Sequence, residues 1–238
     1  MYTVERIDPS TTAMIVVDME NDFVAPGAPM EVEANAGRAM LPHLQRALAC
    51  CRDNGIPIIY TTHAHRAGGC DQGLLAHVPL IASGNSLAIG SPGVAIYPEV
   101  APRGDEIVIT KHRFSAFYGT DLEIILRGLG VTTVVITGVT TENCCHATAR
   151  DAFFRDFQVV FLADATANND YPDLGYGSMS AEEVHRATLI ILARDTADVI
   201  STETFVTRVA TARDSEQRQA PSAAESAIHA AREVASVA

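Results

Sequence analysis

Three side chains with complementary chemistry end or follow apolar stretches of this sequence: the carboxylate of Asp18, the ammonium of Lys111 and the thiol of Cys144. A carboxylate can take a proton from a thiol, a cation can stabilise the charges that result, and a thiolate attacks carbonyl carbon. Brought together, the three groups would form an arrangement that hydrolyses amides through a covalent intermediate. Each has an ordinary alternative, because buried cysteines are usually inert and lysines at strand ends usually reach solvent.

The adjacent residues Cys144 and Cys145 are predicted to have different roles. A helix that begins near Thr141 places Cys145 on a buried stripe that continues through Thr148, Ala149, Ala152 and Phe153. Cys144 is then rotated by about 100°, onto the first turn of the helix. The helix dipole and the free backbone N–H groups of that turn favour a thiolate. We therefore expect Cys144 to be the nucleophile and Cys145 to be a core thiol.

The elements that must position these groups are indicated by apolar patterns. Six segments rich in β-branched residues are predicted as strands: Ala13–Met19, Pro57–Thr61, Glu106–Lys111, Val131–Thr137, Gln158–Leu162 and Ala197–Ile200. Most are continuous apolar runs, which are typical of parallel strands covered on both faces. Helical patterns separate the strands, at Asn35–Asn54, from Thr120 to about Gly128–Gly130, and at Ala181–Arg194. The last two open on capping boxes, at Thr120 with Glu123 and at Ser180 with Glu183.

The alternation of strands and helices predicts an α/β sandwich, in which ligands bind beyond the carboxyl ends of the strands. Residues 1–210 are predicted as one domain, and residues 211–238 as an Ala-rich tail, helical or disordered, that takes part in oligomer contacts. Between the second and third strands, Gly68–Pro102 is long and rich in Gly and Pro. We expect it to form a loop with short helices near the site.

Composition excludes several classes of function. The net charge of −12 disfavours nucleic-acid binding. Apolar runs of at most five residues predict no membrane span, and the N-terminus carries no signal-peptide pattern. Five cysteines without disulfide spacing favour free thiols in a cytoplasmic location.

The motifs around the three reactive residues resemble those of a known family. The segment VVDMENDF at 16–23, Lys111, and the segment GVTTENC at 138–144 occur in the order found in isochorismatase-like cysteine hydrolases. The resemblance extends from about Thr11 to Thr204 and is strongest over Thr137–Ala165. The family includes nicotinamidases, N-carbamoylsarcosine amidase, biuret and triuret hydrolases, ureidoacrylate hydrolase and isochorismatase itself.

The resemblance implies a Rossmann-like three-layer sandwich with a mostly parallel six-stranded sheet in the order 3-2-1-4-5-6. It also implies a catalytic triad of Asp18, Lys111 and Cys144. A cis peptide bond is implied between Val139 and Thr140, with an oxyanion hole formed by the backbone N–H groups of Thr140 and Cys144.

This sequence departs from two patterns within the family, and each departure reduces the number of activities that the resemblance allows. Isochorismatases proper usually carry a small residue in place of the nucleophilic cysteine, so Cys144 argues against vinyl-ether hydrolysis. Nicotinamidases carry an Asp-x-His metal pair where this chain has His63 and His65. Because the carboxylate is missing, we predict no metal and no cofactor, although a His-x-His pair could also bind zinc or iron.

The segment from Lys111 to Phe117 is similar to the ureide-hydrolysing branch. Predicted substrate-binding residues follow the strand ends: Asn21, Phe23, His63, Arg113 and Phe117. Glu142 and Asn143 are expected to support the helix start rather than to contact substrate. Tyr171 and Tyr176 are expected to pack locally, with closure over the pocket as the alternative.

The sequence therefore predicts a cysteine-dependent amidohydrolase that releases ammonia or an amine from a small neutral or mono-anionic amide or ureide, with biuret and triuret as the leading substrates. We expect it to be a homo-oligomer, either a dimer or a tetramer. The alternatives are a nicotinamidase-like enzyme, a vinyl-ether hydrolase of the isochorismatase type, and a non-enzymatic binding protein with a degenerate site.

Overall fold

The structure, a computed structural model, describes residues 2–32 and 36–219 and contains one parallel sheet. Its six strands are β1 (Thr12–Val17), β2 (Ile58–His63), β3 (Ile107–Lys111), β4 (Thr133–Val139), β5 (Gln158–Ala167) and β6 (Asp198–Ile200). They lie in the order β3-β2-β1-β4-β5-β6, and every pair of neighbours is parallel. The predicted strand order and fold class are confirmed.

Helices cover both faces of this sheet. They are α1 (Asn21–Val24), α2 (Ala36–Ala39), α3 (Leu41–Asp53), α4 (Pro79–Ala82), α5 (Leu122–Gly128), α6 (His146–Phe153), α7 (Ala181–Asp195) and α8 (Thr202–Gln219). Successive residues of β1 enter different cores, since Met14 and Val16 pack with α3 and α8 while Ile15 and Val17 pack with α5 and α6. The continuous apolar run of β1 is thus explained by burial on both faces.

The predicted helix over Asn35–Asn54 is divided. Asn35 lies outside the described residues, and the single residue Met40 separates the end of α2 at Ala39 from the start of α3 at Leu41. Pro42 stands in the first turn of α3. A proline has no backbone N–H to donate and suits the beginning of a helix, which explains a new start at this point.

The two predicted capping boxes have different outcomes. Ser180 and Glu183 form the reciprocal hydrogen bonds of a capping box at the start of α7, as predicted. The box at Thr120 is wrong, because α5 is preceded by Asp121 and the Thr120 hydroxyl donates to the carbonyl of Ala116 at 2.6 Å.

Two irregular segments lie near the carboxyl ends of the strands. Between β2 and β3 the chain forms α4 and short 3-10 helices at Gly73–His77, Pro92–Val94 and Pro98–Val100, as predicted for Gly68–Pro102. The second segment connects β5 to α7. Within the described part of the chain, no helix has the length and hydropathy needed to cross a bilayer.

At the C-terminus, helix α8 continues across position 211 as far as Gln219. Residues 220–238 lie outside the described residues, so the Ala-rich tail stays a prediction.

Candidate active site

Asp18, Lys111 and Cys144 meet at the carboxyl edge of the sheet. Lys111 ends β3 and Asp18 directly follows β1, while Cys144 lies in the turn after β4. The Lys111 ammonium is 2.7 Å from Asp18 Oδ2 and 3.4 Å from Cys144 Sγ. It also donates to the carbonyl of Arg113 at 2.8 Å. The Asp18 and Lys111 side chains are fully buried, so the structure contains a desolvated ion pair beside a thiol.

Strand β2 lies between β1 and β3 and supplies a hydrogen-bond donor to the ion pair. The Thr61 hydroxyl donates to Asp18 Oδ1 at 2.7 Å, and the backbone N–H of Asp18 donates to the Thr61 carbonyl at 3.1 Å. Asp18 has a φ of +49°, an uncommon conformation for a residue with a side chain. Such a conformation persists only where surrounding contacts impose it. Thr61 was missed by sequence reasoning, because only the strand register places it next to Asp18.

The approach of β4 to β1 requires a glycine at position 138. Gly138 has a φ of +112°, and a Cβ atom on it would lie 2.0 Å from the carbonyl oxygen of Val17. Such a distance is far inside van der Waals contact, so a side chain would force the strands apart. The next peptide bond, Val139–Thr140, is cis, as the family resemblance implies.

Residues Thr141–Cys145 then form a single π-helical turn that leads into α6. Cys145 is fully buried in the core with Ala149, and its Sγ lies 3.9 Å from the carbonyl oxygen of Thr137. Thus Cys144 and Cys145 point to different environments, as predicted. Phe153, expected on the same buried stripe, is instead 37% exposed.

Burial of Cys144 opposes the thiolate that its place on the first helical turn favours. Burial raises the pKa of the Cys144 thiol and outweighs the lowering by the Lys111 ammonium, while the Asp18 charge raises it further. Burial by itself would lower the pKa of Lys111, but attraction to Asp18 and Cys144 raises it above its usual value. These two directions favour a charged lysine beside a neutral thiol.

A cavity of about 540 Å³ opens onto Cys144. Of the residues predicted to form the site, Phe23, His63, Thr140 and Cys144 line it. Asp18 and Lys111 are not among the lining residues and lie fully buried next to the thiol.

Three predicted substrate-binding residues do not line this cavity. The Asn21 side-chain amide donates to the carbonyl of Pro92 at 2.8 Å. The Arg113 guanidinium donates to the carbonyls of Asp71 and His112, at 2.8 and 2.6 Å. Phe117 is buried, with its ring centroid 6.0 Å from that of Phe157. Each side chain is occupied elsewhere, so proximity in sequence to a candidate catalytic residue did not place it at the site.

The lining residues that the predicted site did not include contain a polar group formed by Glu142, Asn143 and Tyr171. Glu142 Oε1 accepts hydrogen bonds from the Thr140 hydroxyl at 3.0 Å, the Asn143 amide at 3.1 Å and the Tyr171 hydroxyl at 3.0 Å. Glu142 Oε2 is buried without a hydrogen-bond partner. Burial raises the pKa of Glu142, and burial together with the neighbouring carboxylate raises the pKa of Tyr171 to about 12.

His63 and His65 do not converge on a common ligand set among the described residues. His63 lies with Asp18 and Cys144, one potential ligand atom of each being within 4.8 Å of the others. Burial and then Lys111 lower the pKa of His63, so this ring is neutral, and its Nε2 is buried without a partner.

His65 forms a second group, with Asp71 and His112, at the same spacing. A set of two imidazoles and a carboxylate suits zinc or iron. However, the Asp71 carboxylate already accepts hydrogen bonds from the Arg66 guanidinium at 2.9 Å and from the Arg66 backbone N–H at 3.1 Å. A metal would have to compete with this arginine, and the absence of a metal stays a prediction.

Comparisons with known proteins agree with this geometry. The protein-family model described as the isochorismatase domain matches residues 12–204 of this chain. The ureidoacrylate amidohydrolase RutB of Methylobacterium radiotolerans is 32% identical over 199 residues, which cover 77% of this chain and 73% of that protein. Nicotinamidase 3 of Arabidopsis thaliana is 31% identical over 196 residues, covering 81% and 86%. The crystal structure of a cysteine hydrolase from Pseudomonas syringae pv. phaseolicola superposes with a TM-score of 0.83 at 33% identity, covering 87% of this chain and 96% of the other.

Proposed function

Because the chain belongs to the isochorismatase domain family, whose relatives mark it as a hydrolase of amide C–N bonds, we propose that it acts through a thioester on Cys144. The observation that carries the proposal is the buried contact of the Lys111 ammonium with both Asp18 and Cys144, next to a cavity that can hold a substrate. A base, a cation and a thiol in one place supply the groups that amide hydrolysis needs.

In the first half of the proposed reaction, Asp18 takes the proton of the neutral Cys144 thiol and Lys111 stabilises the thiolate that forms. The sulfur attacks the carbonyl carbon of the substrate. Backbone N–H groups of Thr140 and Cys144 donate to the oxyanion, which is the family's arrangement for this charge. The C–N bond then breaks as protonated Asp18 gives its proton to the leaving nitrogen, and ammonia or an amine departs.

In the second half, Asp18 takes a proton from water and the resulting hydroxide attacks the thioester. The C–S bond breaks, the acid is released, and Asp18 returns its proton to the Cys144 sulfur. The number of protons on the site is the same before and after the cycle. No step needs a redox cofactor.

We propose a small amide or ureide as the substrate. One relative is named a ureidoacrylate amidohydrolase, and the segment from Lys111 to Phe117 is similar to ureide hydrolases such as those for biuret and triuret. A nicotinamidase activity is the second candidate, supported by the relative in Arabidopsis thaliana. The thiol of Cys144 disfavours vinyl-ether hydrolysis, and the assembled ion pair disfavours a non-enzymatic binding protein.

We also propose a homo-oligomer and a cytoplasmic location, the latter because Cys70 is an exposed free thiol.

The proposal is tested by following ammonia release from biuret, triuret, N-carbamoyl acids, maleamate, nicotinamide and simple carboxamides on one preparation. Intact-mass spectrometry during turnover should find an acyl adduct, and peptide mapping should place it on Cys144. Turnover of isochorismate alone, or turnover that survives alkylation of Cys144, contradicts the proposal.

A further inference from the structure

The size of the cavity beside Cys144 bears on the substrate within the proposed amidohydrolase activity. A cavity of about 540 Å³ would hold roughly eighteen water molecules at about 30 Å³ each. This volume is within the range of sites for drug-sized ligands. A molecule as small as biuret would leave most of it to water, so the cavity fits an amide with a substantial body attached to its reacting group.

The wall that could hold such a body is apolar. The irregular segment between β2 and β3 contributes five aliphatic side chains to it, namely Leu75, Val78, Leu80, Ile81 and Leu87. Leu75, Ile81 and Leu87 are buried in the main core, so their positions are fixed by packing behind the wall. An alkyl or aryl group placed against this wall would leave water, at a gain of about 25 cal/mol for each Å² of apolar surface.

The residues described at this cavity include no permanently charged cation for an anionic substrate. Neither lysine nor arginine is among the lining residues. Of the two lining histidines, His63 has a pKa lowered by burial and by Lys111, and His77 has its Nδ1 2.7 Å from the Leu74 carbonyl. The nearby Lys111 ammonium is already held by Asp18 and by the Arg113 carbonyl.

Acidic groups instead line the cavity, at Glu31, Glu142 and Asp170. Glu31 is paired with Arg38 at 2.7 Å, whereas Glu142 retains a buried oxygen without a partner. A substrate carboxylate would therefore lose its hydration without gaining a cation, which is costly.

Two buried polar atoms at the cavity lack hydrogen-bond partners, and both suit the N–H groups of an amide. They are Glu142 Oε2 and His63 Nε2, on residues that line the cavity together with Cys144. Buried polar atoms without partners are rare and destabilising, so a ligand that pairs them gains binding energy. The N–H donors of a carboxamide or carbamoyl group supply that chemistry.

We propose that this site takes an uncharged primary amide or monosubstituted urea whose remaining part is an apolar chain or ring of about five to ten carbon atoms. The apolar part lies against the wall of residues 75–87, and the amide N–H groups face Glu142. This proposal rests on the proposed function and excludes two kinds of substrate which that function allows, biuret-like molecules and carboxylate-bearing ureides.

The test compares kcat/KM for four compounds on the wild-type protein: acetamide, hexanamide, biuret, and adipamate, which is as long as hexanamide but ends in a carboxylate. Each buried methylene contributes about a fourfold gain, so hexanamide should exceed acetamide by about two-hundredfold. Adipamate should fall at least tenfold below hexanamide. A rate that is independent of chain length, or a preference for adipamate or biuret, overturns the proposal and leaves the amidohydrolase activity standing.

A pair of variants locates the effect. Leu80 lines the cavity and is 37% exposed, so Leu80→Lys adds a cation to the wall at a position that tolerates a long side chain. The ratio of adipamate to hexanamide turnover should rise at least tenfold in this variant. The control is Leu74→Lys, since Leu74 is 92% exposed and is not a lining residue, and its ratio should stay that of the wild type.

If the ratio of adipamate to hexanamide turnover were the same in Leu80→Lys and Leu74→Lys, the apolar part of the substrate would not lie against this wall. That result would overturn the proposal. Absence of turnover with every amide, and of any acyl adduct on Cys144, would instead overturn the proposed function and this inference with it.

Discussion

The adjacent cysteines provide a matched test of the nucleophile, through Cys144→Ala and Cys145→Ala. Both replacements remove one buried sulfur from neighbouring positions of the same turn. Only Cys144 contacts the Lys111 ammonium, at 3.4 Å, whereas Cys145 packs in the apolar core. We expect Cys144→Ala to lower kcat at least about a thousandfold, because the covalent route disappears, and Cys145→Ala to retain most of the activity.

The expected loss of stability is similar for the two variants. Removing a small buried group costs about 1–2 kcal/mol, which corresponds to a melting temperature lower by roughly 2–8 °C in a domain of this size. Cys144→Ala creates no unpaired charge, because the Lys111 ammonium keeps its 2.7 Å contact with Asp18 and its 2.8 Å hydrogen bond to the Arg113 carbonyl. A loss of activity in Cys144→Ala whose melting temperature falls no further than that of Cys145→Ala is therefore a loss of chemistry and not of fold.

The assay combines ammonia release, thermal unfolding and intact-mass analysis on the two variants and the wild type. The acyl adduct should form on the wild type and on Cys145→Ala and should be missing from Cys144→Ala. If Cys144→Ala kept its activity while Cys145→Ala lost it, the assignment of the two thiols to site and core would be reversed. A loss of activity in both variants at normal melting temperatures would mean that Cys145 also contributes to the reaction.

Three further predictions concern the ion pair, pH and metals. Lys111→Met should lower the free energy of unfolding by about 3–5 kcal/mol, because it leaves a buried carboxylate without its cation, and the double variant with Asp18→Asn should recover part of the loss in denaturant titrations. Burial and the Asp18 charge raise the pKa of Glu20 in the folded protein well above its usual value near 4.3. The stability that Glu20 contributes is therefore complete below about pH 4.3, and it is lost as the pH rises through the higher folded-state pKa. Denaturant titrations of the wild type should therefore lose stability relative to Glu20→Gln as the pH rises above about 4.3, and a difference that does not change with pH would contradict the argument. Dialysis against a chelator should leave amide hydrolysis unchanged, whereas a loss that zinc or iron restores would show that the group of His65, Asp71 and His112 holds a required metal.

The sheet and the three reactive residues were predictable because burial leaves a strong pattern in sequence. The run 13–17 is apolar at every position since its side chains enter two cores in turn, and the polar residue that ends it, Asp18, stands out for that reason. Register and turn geometry leave no comparable pattern. Thr61 contacts Asp18 only because β2 is aligned with β1. Arg113, two residues after Lys111, turns its guanidinium to the Asp71 carbonyl of another loop.

The cavity residues were less predictable for a related reason. The side chain of Glu142 lines the cavity because residues 141–145 form a π turn, whereas the sequence pattern indicated only the start of a helix. The aliphatic wall belongs to a segment without strands, in which neither helical nor alternating periodicity marks the residues that face a ligand.

The separation between the sheet and this wall has a consequence for how such enzymes diverge. Asp18 and Lys111 are held by strands whose replacement would disturb the fold, and Gly138 has no room for a side chain. Residues 75–87 lie outside the sheet, so mutations there can reshape the cavity while the reactive groups keep their positions. Selection on that segment can thus produce new substrate preferences in few steps.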